Sequence, residues 1–258
     1  MKARTELFLY SLLWTAETLA RPTFRNVSHS FEGWAYRSGL SRQIAELEKR
    51  GFVERRNERD RVYRLTEGGR IRALGGRDPE AWWSRSWDRW WRFISFDVPT
   101  SENRKRDQLR HYLRSHWFGL LQRSLWITPD SLDPQLRLLR KTNVNARSLV
   151  LLQAQACGGE SNEDLVCAAW NFDGINRRYT SHLEILNQRP SARIKNKLQA
   201  DALIRWAQKE HANWTNAVRS DPLLPGALIP RGYLGKRAWK RRVEAFRAVG
   251  KAVKNVIP

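Results

Sequence analysis

The stretch from Gly33 to Thr66 reads GWAYRSGLSRQIAELEKRGFVERRNERDRVYRLT, and its first half has helical periodicity. Leu40, Ile44 and Leu47 recur at the spacing i, i+4, i+7, which predicts a helix with one apolar face. Gly51 follows the last turn, at the position where a left-handed residue commonly ends a helix.

The second half of this stretch predicts an arginine-rich β-hairpin. Residues 52–56 and 61–65 have strand-like composition, and a polar loop joins them. A helix with a small, polar or basic outer face, followed by such a hairpin, is typical of proteins that place the helix in a DNA major groove and the hairpin along phosphates. The alternative interpretation is an ordinary charged surface helix and hairpin. The predicted DNA-binding residues are Arg37, Ser38, Ser41, Arg42 and Lys49 on the helix and Arg55, Arg56, Arg59, Arg61 and Arg64 in the hairpin.

The flanking sequence predicts the remainder of a winged helix-turn-helix domain over residues 1–76. Residues 4–20 form an amphipathic pattern that Pro22 ends, and a short helical piece is expected at 25–31. A last short helix is expected to begin near Thr66. Three helices and a β-ribbon in this length match the winged helix-turn-helix plan.

The composition points to a polyanionic partner. The chain has 258 residues and a formal net charge of +21, which favours nucleic acid first and an anionic membrane surface second. No apolar run reaches the roughly 20 residues that span a bilayer. Cys157 and Cys167 fit neither a disulfide framework nor a common zinc spacing. We therefore expect a cytoplasmic, nucleoid-associated protein.

A second domain is predicted over residues 77–157, beginning with a tryptophan-rich linker. The segment AWWSRSWDRWW could stack on bases, but a packing role between domains is favoured. Beyond it, strands and helices alternate, which predicts a ferredoxin-like split βαβ sandwich. The expected strands lie at 92–98, 118–128 and 148–155, and the expected helices at 102–115 and 134–141.

The middle of the chain resembles the PaaX family of phenylacetic-acid-degradation repressors. The resemblance lies in WRFISFDVPTSENRKRDQLRHYLRSHWFGLLQRSLWITP, and it extends to the ends of the predicted recognition helix and wing. It implies a homodimeric repressor that binds a pseudo-palindromic operator in double-stranded DNA, with an acyl-coenzyme A thioester as a small-molecule inducer and no required cofactor. A basic cleft between the middle and C-terminal domains is the expected place for such an inducer.

The remaining residues, 158–258, are predicted to form a mostly helical C-terminal domain that could sense an effector. A strand is expected at 164–170, and one long helix at 192–219. Asn171 stands where the family more usually has Asp, and Tyr233-Leu234 stands where Trp-Pro is common. Residues 231–258 hold nine basic groups and one acid, for which a solvated face is favoured over a second phosphate contact. The predicted fold class is therefore α+β.

No motif in the sequence indicates an enzyme or a metal site. The module resembling PaaX is also similar to the ferredoxin-like proteins of CRISPR adaptation, which carry an acidic residue where Asp97 stands. The alternative function is thus a metal-dependent nuclease built on Asp97, or a structural nucleic-acid-binding subunit. An Asp at a strand end more often accepts hydrogen bonds in a turn, so we expect no catalytic residue.

Overall fold

The computed structural model of the chain describes residues 41–57, 60–132, 149–156, 159–190 and 197–254. Contacts divide the chain into two compact units. Unit 1 comprises Met1–Asp78, Arg178–Arg219 and Leu234–Pro258, and unit 2 comprises Pro79–Arg177 and Ser220–Tyr233. The three domains expected at 1–76, 77–157 and 158–258 remain a prediction.

The first described part of unit 1 is a helix, a hairpin and a second helix. The elements are α1 (Ser41–Lys49), β1 (Val53–Asn57), β2 (Asp60–Leu65) and α2 (Glu67–Ala73). The hairpin is antiparallel, and its register pairs Val53 with Leu65 and Glu54 with Arg64. The helix and hairpin predicted around Gly51 are therefore present. The helices expected at 4–20 and 25–31 lie outside the described residues, so the complete winged helix-turn-helix domain remains a prediction.

Long helices form the C-terminal part of unit 1. They are the latter part of α6 (Phe172–Asn187), α7 (Lys197–Ser220) and α8 (Gly235–Lys254). Apolar residues of all three helices share a buried cluster that includes Leu186, Trp206 and Phe246. Two hydrogen bonds from side chains to backbone carbonyls bind the end of the first segment to α7. Trp214 Nε1 donates to the Leu74 carbonyl at 2.8 Å, and the Arg77 guanidinium donates to the Val218 carbonyl at 2.7 Å.

Unit 2 contains a four-stranded antiparallel sheet. Its strands lie side by side in the order Gly119–Gln122, Leu125–Thr128, Trp91–Phe96 and Leu149–Ala154. Its first and second strands in sequence are separated by the third, which is the arrangement of a split βαβ sheet. The fold is thus α+β, with a small antiparallel sheet and many helices, as the sequence predicted. The remaining elements of unit 2 are α3 (Pro79–Trp83), β3 (Trp91–Phe96), α4 (Asn103–Ser115), β4 (Gly119–Gln122), β5 (Leu125–Thr128), β6 (Leu149–Ala154), α5 (Asn162–Ala169), the start of α6, and short 3-10 turns at Thr100–Glu102 and Gly226–Leu228.

Each face of this sheet packs against helices. On one face, Ile94 and Trp126 join Leu109 and Leu113 of α4 in a buried cluster. On the other face, a second cluster joins the sheet to α5 and to residues 224–228. Most of the tryptophans near the start of the unit are packed, and Trp91 is fully buried with its ring 5.3 Å from that of Trp87. Their packing within unit 2 agrees with a structural role for the cluster.

The strand expected at 164–170 is wrong, because residues 162–169 form helix α5. Ser161 and Asp164 make a capping box: the Ser161 hydroxyl accepts from the Asp164 amide at 3.2 Å, and the Asp164 carboxylate accepts from the Ser161 amide at 2.8 Å. A short apolar run has the same appearance in a buried strand and in a buried helix. The Ser-x-x-Asp spacing was the signal that distinguishes them. Among the described helices, none has the length and apolar character needed to cross a bilayer.

Candidate nucleic-acid interface

Helix α1 separates a buried side from an exposed basic side. Leu47 is fully buried and Ile44 is half-buried, as the helical spacing predicted. Arg42, Ala45 and Lys49 are exposed, and their i, i+3, i+7 spacing places them on one face. The small Ala45 between two cations leaves room for a close approach by a flat or grooved partner.

Seven of the ten predicted DNA-binding residues lie in the part of the chain that the structure describes. Ser41 is the first residue of α1, and Arg42 and Lys49 are exposed on it. Four of the arginines lie in the strands of one hairpin, with Arg55 and Arg56 in β1 and Arg61 and Arg64 in β2. The residues outside the described part of the chain are Arg37, Ser38 and Arg59.

The hairpin base is fixed to the end of α1 by backbone contacts. Gly51 has φ +69° and ends the helix, and the amide of Phe52 donates to the Leu47 carbonyl at 2.9 Å. Thr66 donates its hydroxyl to the Gly51 carbonyl at 2.7 Å and accepts from the Gly69 amide at 3.0 Å. A Cβ at Gly69 would lie 2.0 Å from the Phe52 carbonyl oxygen, so only glycine fits there. These contacts give a physical reason for the threonine and the glycine of Leu65-Thr66-Glu67-Gly68-Gly69 at the end of the hairpin.

Acidic side chains form ion pairs with some of the cations near this interface. Arg50 forms an ion pair with Glu46 one turn earlier, with 3.0 Å between Nη2 and Oε1. Arg70 of α2 contacts both Glu67 and Asp78, and these carboxylates raise its pKa above the ordinary range. Arg50 and Arg70 are therefore tethered, whereas α1 presents Arg42 and Lys49 on its open face.

Asp97 is exposed directly after β3. Within the described ranges, no group of three or more His, Cys, Asp or Glu side chains is placed to hold a metal ion. A metal-dependent nuclease needs several ligands around its cation, so the nuclease alternative requires groups besides Asp97.

Two departures from the PaaX pattern have structural explanations. The Asn171 side chain accepts from the Gly174 amide at 2.8 Å and caps α6, a role that Asn and Asp fill equally well. Tyr233 donates its hydroxyl to the buried carboxylate of Asp221, which also accepts from the Leu223 amide at 2.8 Å. Leu223 is buried at φ +50°, a left-handed conformation that these contacts stabilise. Both residues thus have defined hydrogen-bonding roles in this chain.

A buried polar cluster, which the sequence analysis missed, joins the three C-terminal helices. His182 of α6, Glu210 of α7 and Arg242 of α8 are all fully buried. Glu210 Oε1 accepts from Arg242 Nε at 2.9 Å and lies 2.8 Å from His182 Nε2. The Arg242 guanidinium also lies over the rings of Phe246 and Trp214, at 4.2 and 4.7 Å from their centroids.

Burial changes the charge states in this cluster. Desolvation, followed by the charge of Arg242, lowers the pKa of His182 from 6.5 to about 3. Desolvation also raises the pKa of Glu210 from 4.5 to about 7, although Arg242 acts in the opposite direction. His182 is therefore neutral at physiological pH, and its contact with Glu210 is a hydrogen bond rather than an ion pair. The cluster is sealed within unit 1, so its role is structural.

One sequence signal could have identified these residues. Trp239, Arg242 and Phe246 are spaced i, i+3, i+7, and Trp206, Glu210 and Trp214 recur every fourth residue. A charged residue in the middle of each apolar stripe indicates a buried ionic contact, because an isolated buried charge is too costly. The sequence alone, however, did not show which acid met which base.

Comparison with known proteins identifies the middle of the chain. Residues 84–166 match the family model described as the PaaX protein central Cas2-like domain. A solved structure, the uncharacterized protein Rv0674 from Mycobacterium tuberculosis, is similar over 84% of this chain and 83% of that chain, with 22% identity and a TM-score of 0.48. Among curated protein sequences, none matches significantly. The match at 84–166 confirms the resemblance to the PaaX family.

Proposed function

We propose that this chain, which carries the central Cas2-like domain of the PaaX family, is a sequence-specific DNA-binding regulator of transcription, with repression as its expected action. The observation that carries the proposal is the exposed face of α1. Arg42 and Lys49 flank a small residue on that face, and a glycine turn connects the helix to a hairpin with four arginines in its strands.

In this proposal α1 enters the major groove and the hairpin follows the phosphates. Arginine can bind guanine O6 and N7 in a bidentate contact, and Arg42 is our candidate for that role. The hairpin arginines supply affinity that depends on salt and not on sequence. The contacts of Thr66 and Gly69 support this division of roles, because they hold the hairpin base against the end of the helix.

We also propose that the regulator is a homodimer, with β6 as the contact. Among the described strands, β6 lies at one edge of its sheet, and Val150 and Leu152 on it are 51% and 53% exposed. No charged residue occurs between Leu149 and Ala156, and exposed edge strands in proteins usually carry such residues to prevent pairing. A second copy fits this edge, because two antiparallel copies of an uncharged strand are self-complementary. Such pairing has a two-fold axis, which a pseudo-palindromic operator would mirror.

The effector remains a proposal that rests on the family. An acyl-coenzyme A thioester is a polyanion, and a chain of net charge +21 offers cations to hold it. Thermal-shift measurements with a panel of acyl-coenzyme A thioesters test this. Stabilisation by one member supports an inducer role, and no shift across the panel contradicts it.

Selection of bound duplexes from a random-sequence pool tests the main proposal. We expect one enriched motif with two-fold symmetry, whose half-sites lie about one helical turn apart. Recovery of sequences without a shared motif contradicts sequence-specific recognition. Cleavage of the pool that requires a divalent metal and disappears in Asp97→Ala would instead indicate the nuclease alternative.

A further inference from the structure

Helix α8 has an exposed surface that is almost entirely basic. Its buried side contains Ala238, Trp239, Arg242, Phe246 and Val249, which pack inside unit 1. On the side toward solvent, the exposed charged residues whose side chains the structure describes include five cations and one acid. The five cations, called the α8 stripe below, are Lys236, Arg237, Lys240, Arg241 and Arg247.

Helical geometry places the α8 stripe on one continuous surface. At about 100° per residue, the five cations fall within an arc of about 140°. At about 1.5 Å per residue, the stripe extends about 16 Å along the helix axis, which is close to the rise of five base pairs of duplex DNA. It is a line of charge on the convex outside of a helix, a shape that fits an extended polyanion better than a small ligand.

Among the described residues, little negative charge balances the stripe. Arg241 lies 3.7 Å from Glu244, the one exposed acid of α8, and donates to Asn187 at 3.3 Å. The other four cations form no ion pair or side-chain hydrogen bond with any described residue. Lys236 and Lys240, like Arg237 and Arg241, are like-charge pairs at i, i+4, which weaken a helix. The first turn of α8 also lacks the acidic residue that the helix dipole favours there.

A repulsive arrangement of this kind is relieved when an anionic polymer supplies the missing charge. A nucleic acid and an anionic membrane surface are the two extended anionic partners that the composition favours. A helix that binds in a membrane surface inserts an apolar face, and the apolar face of α8 is already buried against α6 and α7. The observations therefore favour a nucleic-acid backbone.

We infer that the α8 stripe is a second DNA-backbone contact, which binds duplex phosphates without reading sequence. The inference rests on the proposed function and adds a surface to it. The stripe belongs to the same compact unit as α1 and the hairpin. Its contacts with phosphates release counterions and so increase the affinity, while α1 determines the sequence specificity.

The test compares the salt dependence of binding to random-sequence duplex DNA for three full-length proteins. They are the native chain, Lys236→Gln/Lys240→Gln, and Arg205→Gln/Lys209→Gln. The control pair is also exposed, lies at i, i+4 in α7 of the same unit, and removes the same charge. All four side chains are exposed, so circular dichroism and the melting temperature should be unchanged.

Each phosphate contact contributes about 0.9 to the slope of log affinity against log salt, so the α8 variant should lose about two from the slope. Between about 50 and 200 mM salt, the native chain should then lose about tenfold more affinity than the α8 variant. The control variant should keep the native slope. A native slope in the α8 variant overturns the inference, and so does an equal loss in the control.

Two further arms separate the rival explanations. Binding to vesicles of phosphatidylserine and phosphatidylcholine tests whether the α8 stripe binds an anionic membrane instead. If the α8 variant loses vesicle binding but binds duplex DNA as the native chain does, the DNA inference is wrong. Selected and random duplexes test the proposed function. A native chain that binds both equally, with a reduced slope in the α8 variant, overturns sequence specificity and supports the stripe. Absence of any duplex binding by the native chain overturns both.

Discussion

Glu210 and Arg242 form a fully buried ion pair between α7 and α8, with 2.9 Å between Oε1 and Nε. The two residues are 32 positions apart in sequence, and His182 completes the cluster from α6. Because removing one partner leaves a buried charge without compensation, this contact makes the packing of the three helices sensitive to single substitutions.

We expect Glu210→Ala to lower the free energy of unfolding by about 3–5 kcal/mol, because Arg242 would remain buried without its carboxylate. Urea unfolding above pH 7, where Glu210 is ionised, measures the loss. Glu244→Ala is the matched control, since it removes only an exposed pair at 3.7 Å and should cost at most about 1 kcal/mol. Glu210→Leu/Arg242→Met should recover most of the stability. Equal costs for the two single variants would contradict a structural role for the buried pair.

Stability should depend on pH through His182 in the acid range. The unfolded chain binds a proton at this residue below pH 6.5, whereas the folded chain does so only near pH 3. The free energy of unfolding therefore decreases as the pH falls between these values. Glu210 acts in the opposite direction between 4.5 and about 7, because the folded chain keeps a proton that the unfolded chain releases. The two effects offset each other from about 4.5 to 6.5, and the His182 effect acts alone below 4.5.

Urea unfolding at a series of pH values, for the native chain and His182→Gln, isolates this effect. Between pH 6.5 and about 3 the native chain should lose stability relative to the variant by up to about 1.4 kcal/mol per pH unit, because both proteins keep Glu210. Parallel curves for the two proteins would show that His182 does not titrate in this way.

The cap on α6 should depend on a side-chain acceptor and not on asparagine as such. Asn171→Ala removes the acceptor of the Gly174 amide and should lower the free energy of unfolding by about 0.5–2 kcal/mol. Asn171→Asp keeps the acceptor and should remain within a few tenths of a kcal/mol of the native chain. Chemical unfolding of the three proteins tests this, and an aspartate variant as unstable as the alanine variant would disprove the capping role.

A homodimer that forms through β6 should dissociate when its exposed apolar side chains become charged. Val150→Lys/Leu152→Lys places two like charges opposite their symmetry copies, so sedimentation equilibrium should give the mass of a monomer. Leu198→Lys is the control, because Leu198 is 73% exposed on α7 and lies outside the proposed contact. A variant that remains dimeric would place the interface elsewhere on the chain.

The helix and the hairpin should contribute differently to DNA binding. Arg42→Ala should cost about 1–3 kcal/mol against the selected sequence and relax preference at one base pair. Arg59→Ala should weaken all sequences alike and lower the salt slope by about one. Binding to matched and singly mismatched duplexes separates the two effects. The reverse pattern would mean that the groove and phosphate roles have been assigned to the wrong elements.

Local features of the sequence were enough to predict much of the fold. The spacing of Ile44 and Leu47, with Gly51 as the stop signal, predicted α1, and the composition that follows predicted the hairpin. The alternation of strands and helices predicted a split βαβ module for unit 2. Such features depend on residues that are close together in sequence, so they can be recognised from the sequence alone. Residues 118–128, which were expected to be one strand region, form the two strands β4 and β5. The residues of α5 were misread as a strand because a short apolar run fits both structures.

For the candidate site, the sequence by itself determined the residue types, the positive charge and the order of the helix and hairpin. Only the tertiary structure decided which charges are buried and which face solvent. Arg241 and Arg242 are adjacent in the chain, yet one lies on the exposed side of α8 and the other is sealed against Glu210. The physical reason is that burial depends on contacts among helices far apart in sequence, and a charge enters the core only where a partner from another helix compensates it.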